Sequence, residues 1–186
     1  MLPSHCIAFA GTVLLAKGEL VDVVKAVKAA IDAGHAPSIA LLDGATSHPV
    51  QIDFGGTEEE VLQRIARAPA RSSPGRPKPG VVPREVTLLP RHWEWLSGQP
   101  GGASVALRKL VERASRDARG ADTMRAARDA AYRFMHELMG DAPGFEEASR
   151  ALFAGDGGRF AELVARWPRD VRGHLLKLAG PAFGAA

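Results

Sequence analysis

Within DGATSH, Asp43 to His48, a carboxylate, two hydroxyls and an imidazole fall inside six consecutive residues. That set is suited to holding a small polar molecule or to moving a proton. Short hairpin loops use the same residue types for turn hydrogen bonds, so the loop has a structural explanation of equal reach. His136-Glu137 is a second acid/base pair, but it lies on an amphipathic helical pattern that places both side chains at the surface. Cys6, inside the apolar run CIAFAG, reads as a small buried hydrophobe rather than a nucleophile. The six histidines (His5, His35, His48, His92, His136, His174) form no pair at metal-ligand spacing on one predicted helix, and Cys6 has no cysteine partner. The chain has no GxxxxGKS/T, no GxGxxG after a strand, no GxSxG and no HExxH. The sequence therefore predicts no catalytic residue, no metal and no cofactor, and the protein is not expected to be an enzyme.

Charge points elsewhere. The net charge is only +3, yet residues 64–119 hold twelve Lys and Arg against four acids. An excess of this kind predicts a partner of opposite sign. Residues 69–83, PARSSPGRPKPGVVP, cannot supply a core face and read as a Pro/Gly/Arg linker. Within them, PGRPKPG resembles the Gly-Arg-Pro core of AT-hooks, which implies that Arg76 and Lys78 enter the minor groove of A·T-rich DNA. A soluble basic linker is the competing reading.

The adjoining segment is REVTLLPRHWEWLSGQPGGASVALRKLVERASR. Val86 to Leu89 is β-prone, and Pro90 ends any ladder while opening a short helix. Pro100-Gly101-Gly102 breaks that helix. The next one carries Leu107, Leu110, Val111 and Ala114 on one face and Arg108, Lys109, Arg113 and Arg116 on the other. Strand, short helix, turn and longer helix in this order resemble a ribbon-helix-helix module over residues 84–119. The resemblance implies a homodimer whose paired strands read double-stranded DNA, because a lone strand has no ladder partner. Thr87 would face base edges, Arg84 and Arg91 the phosphates, and the amides at Gly102 to Ser104 would anchor a phosphate at a helix N-terminus. Arg108 and Lys109 would add cationic contacts. The alternative is a protein-interaction or regulatory module without nucleic-acid binding.

These residues must be positioned by their flanks. The predicted fold class is α+β: a ββαββα lobe over 1–68, the linker 69–83, the strand-helix-helix segment 84–119 and an all-helical part over 120–186. In the first lobe CIAFAG and TVLLAK are strands, and Leu20, Val23, Val24, Val27 and Ile31 mark a helix closed by Gly34. SIALLD and PVQIDF form a second hairpin, and Thr57 with Glu60 makes a capping box. In the last region Met124, Ala127, Ala131, Phe134, Met135 and Leu138 share a helical stripe ending at Gly140. Asp156 caps a later helix and Pro168 opens another. No stretch approaches the length of a membrane span, and a cytoplasmic location is expected.

Three features together, GRPKPGVVPREVTLLPRHWEWLSGQPGGASVALRKLV, AAYRFMHELMGDAPGFEEASRALFAGD and the N-terminal hairpin, helix and hairpin, resemble a bacterial family known as domain of unknown function 2239. The resemblance covers nearly the whole length. It implies a bacterial protein and carries no activity or site residues.

Overall fold

The computed structural model describes residues 2–34, 38–67, 82 and 84–184. They fall into two compact units, one spanning Met1–Ser73 with Thr123–Ala186, the other Pro74–Asp122.

In the larger unit, β1 (His5–Ala10) lies between β2 (Val13–Glu19) and β3 (Ile39–Asp43) in an antiparallel sheet ordered β2-β1-β3. The apolar run of β1 has a reason: it is covered on both faces. Cys6 and Ala8 pack with Val23, Val24 and Val27 of α1 (Leu20–Asp32) and Val61 of α2 (Glu58–Arg67). Ile7 and Phe9 point the other way, into Phe134, Met135, Phe160 and Leu175. The alternation of a strand thus builds two cores from one run, and the sheet becomes the middle of three layers. The N-terminal strands and the C-terminal helices, separated by more than a hundred residues, share one of these cores.

The expected second hairpin forms only at its root. The Val50 amide donates to the Leu41 carbonyl at 2.8 Å and Leu42 bridges Pro49, but no fourth strand follows among the described residues. Pro49 has no N–H to extend the ladder. The period of two survives nonetheless, because Val50, Ile52 and Phe54 still pack partly buried on the α1/α2 core. The lobe is therefore ββαβα rather than ββαββα.

Local signals behave as expected. Gly34 takes a left-handed φ of 71° after α1. Thr57 Oγ1 accepts from the Glu60 amide while Glu60 Oε2 accepts from the Thr57 amide at 2.9 Å. Asp156 Oδ1 accepts from the Arg159 amide at 2.9 Å, opening α6 (Gly157–Leu163). Pro168 precedes α7 (Arg169–Ala179), and α5 (Phe145–Ala154) fills the interval after Gly144.

The middle unit contains α3 (Pro90–Ser97) and the first part of α4 (Gly102–Met139). Helix α4 is continuous over 38 residues, where a boundary near residue 119 was expected. Gly120 costs helix stability without ending it.

Candidate functional site

The DGATSH loop is built by turn chemistry. Asp43 Oδ1 accepts from the Ala45 amide at 2.9 Å and the Thr46 amide at 2.8 Å. Partial burial works to raise the Asp43 pKa, but these two amides and the Thr46 side chain outweigh it and hold the carboxylate below its ordinary value. Ser47 is buried with a left-handed φ of 57°, and Arg133 Nε donates to the Thr46 carbonyl at 2.9 Å. Asp43, Thr46 and His48 line one open cleft together, while Ser47 is turned inside. His136 and Glu137 are both exposed, as their pattern predicts. Cys6 is 2 % exposed, and burial followed by the nearby Asp43 charge pushes its thiol up to about 11. Among the described residues no group of three His, Cys, Asp or Glu can hold a metal ion.

The middle unit holds most of the predicted contact residues. Arg84, Thr87, Arg91, Ser104, Arg108 and Lys109 are all exposed. Arg84, Arg91, Arg108 and Lys109 make no ion pair among the described residues. Residues 84–89 take neither helix nor strand among the described residues, and Leu89 is extended at φ −67° and ψ 149°. Two successive left-handed glycines, Gly101 at φ 86° and Gly102 at φ 74°, make the break before α4. The Gly102 amide, read as free for phosphate, instead donates to the Gln99 carbonyl at 2.9 Å. Arg76, Lys78 and nearly all of the linker lie outside the described residues. Arg64, which contributes to the basic excess, is committed elsewhere: its guanidinium donates to the Asp53 and Gly55 carbonyls and fastens α2 to the preceding extended segment.

The apolar side chains of this unit are unevenly buried. Leu96 and Ala106 are buried, but Trp93 is 40 %, Trp95 54 %, Leu110 44 % and Val111 63 % exposed. The apolar stripe of α4 is open from Leu110 onward, and Val86 and Leu89 are open as well. Large exposed hydrophobics are ordinary when scattered. Here six fall within 26 residues of the sequence.

Sequence reasoning missed one cluster entirely. Lys17 on β2 and Arg169, Arg172, His174 and Lys177 on α7 line a cleft of about 340 Å³ in the larger unit. The signal was divided: Lys17 is one cation in a strand, and RDVRGHLLK reads as an ordinary helix surface.

Among the described residues no helix is long and apolar enough to cross a membrane. Neither the curated proteins nor the solved structures contain a match to this chain. The family model described as "Uncharacterized protein conserved in bacteria (DUF2239)" matches residues 5–179, which takes in both strands of the first hairpin, the middle unit and α7. The chain belongs to that bacterial family, and the arrangement above is a member's fold.

Proposed function

We propose that the middle unit is a self-associating nucleic-acid-binding module, in which two copies join through the open apolar face and grip duplex phosphates with the surrounding cations. The observation that carries the reading is the exposed stripe of Leu110 and Val111 on α4 together with Trp93 and Trp95 on α3. A helical pair with only Leu96 and Ala106 buried has little core of its own. A second copy would bury that face and would also give the β-prone residues 86–89 a ladder partner, as the ribbon-helix-helix likeness implies. Arg84, Arg91, Arg108 and Lys109 are exposed and make no ion pair among the described residues. Phosphate binding by such cations releases counterions, so affinity should fall steeply with salt.

The test is fluorescence anisotropy of a random-sequence duplex titrated with the full chain at two salt concentrations. The wild type should bind more weakly at the higher salt. Replacing Arg84, Arg91 and Arg108 together by Ala should remove binding and leave the circular dichroism spectrum unchanged. Unchanged binding by the triple variant would reject this placement of the site. Paired chains that bind no duplex at low salt would assign the same face to a protein-interaction role instead.

A further inference from the structure

We propose that the cleft between β2 and α7 is a second, separate binding site, for the phosphate group of a small phosphorylated molecule held by Lys17, Arg169, Lys177 and the imidazole of His174. Two independent features point to a ligand. His174 Nε2 is buried and has no hydrogen-bond partner, although the residue lies on the cleft wall. A buried polar atom left unpaired is costly, and an oxygen bound beside the ring would relieve that cost. Gly173 is the second feature. It sits inside an 11-residue helix at the same cleft, its φ is not left-handed, and a Cβ built there meets nothing within 4 Å. Neither backbone geometry nor packing requires a glycine, which weakens a helix interior. Its absent side chain leaves the cleft open.

The charges fit an anion. Lys17, Arg169 and Lys177 make no ion pair among the described residues. Lys17 and Lys177 are near enough to His174 to repel its protonated form, a smaller effect than that of burial. Arg172 is partly committed, since it donates to the Ala165 carbonyl at 2.5 Å. Asp170 is the one acid lining the cleft, and its Oδ2 accepts from the Leu14 amide at 3.1 Å, tying α7 to β2. That bond fixes the two walls on which the cations stand. His174 is held on its other side by Phe134 at 4.7 Å between ring centroids, edge to face, and by Phe9 at 6.4 Å. With the ring's orientation set by core aromatics, Nε2 is a preorganised hydrogen-bonding group rather than a swinging side chain. The cleft's size is near the lower end of small-molecule sites, about 300–1,000 Å³, which suits a phosphate with a short attached group. Ile7 and Leu14 supply an apolar wall for that group.

The experiment is a titration of the isotope-labelled full chain, followed by amide and imidazole NMR shifts, with inorganic phosphate, glycerol phosphate and sodium chloride at matched ionic strength. Saturable shifts confined to the Gly173 amide, the His174 ring and their neighbours are expected. Glycerol phosphate should bind several-fold tighter than inorganic phosphate, and chloride should give no saturable response. The Lys17→Ala/Lys177→Ala variant should lose at least tenfold in affinity, and Gly173→Leu should lose binding by filling the cleft. Shifts that rise linearly and spread over the basic surface would overturn the site, as would full affinity in the folded lysine variant. Equal binding of the two phosphates would overturn the claim for an attached group. Should Gly173→Leu fail to fold, the lysine variant decides the matter alone.

Discussion

The two units use similar apolar residues to different ends. In the larger one, Phe9, Phe134 and Phe160 are fully buried and every layer of the sandwich covers another. In the middle one, two tryptophans and the Leu110–Val111 step lie open. A chain that can bury three phenylalanines completely has not run short of ways to make a core. The contrast teaches that the open face belongs to a unit that buries little of its apolar surface among the described residues, and that folding and association are to be tested separately.

The largest expected effect lies in the finished core. Phe134→Ala removes a fully buried ring packed on Phe9 at 5.4 Å, and should cost about 3–5 kcal/mol in denaturant unfolding. Leu110→Ala, at a 44 % exposed position, should change unfolding of the isolated chain by no more than about 0.5 kcal/mol and should instead raise the concentration at which chains pair. Equal losses for the two would erase the contrast. Next in size is the helix start at Thr57: Thr57→Ala removes the acceptor for the Glu60 amide and should cost about 1 kcal/mol, read from the same unfolding curves.

The smallest effect is a slope with pH. Burial, with Lys17 and Lys177 adding repulsion, lowers the His174 pKa from 6.5 to about 4 in the fold. The unfolded chain takes up a proton near pH 6.5 that the folded chain refuses, so stability is full at neutral pH and falls as pH drops toward 4. His174→Gln should flatten that part of the profile. A wild-type profile with no fall between pH 6.5 and 4 would contradict the buried, neutral imidazole.

What was legible in the sequence was local. Gly34, the Thr57/Glu60 box, the Asp156 cap and the Pro168 start each act within a few residues, so residue type and spacing suffice. The apolar run of β1 was legible as a strand, but not that the C-terminal helices cover its second face. The fourth strand was overread because alternation reports which side chains turn inward, whereas a ladder also needs amides, and Pro49 removes one. The α4 stripe was legible as an apolar face, but a pattern shows a face and not what lies against it. The β2/α7 cleft was invisible for a different reason: its cations come from residues 17 and 169–177, and only the fold brings them together.

The central claim is that a second copy covers the open face of the middle unit. The most direct measurement is the mass of the full chain by light scattering across a concentration series, alone and with duplex present. Two chains per particle, reduced to one by Leu110→Glu/Val111→Glu with an unchanged circular dichroism spectrum, is the predicted result. A single-chain mass at every concentration, with and without duplex, would contradict it.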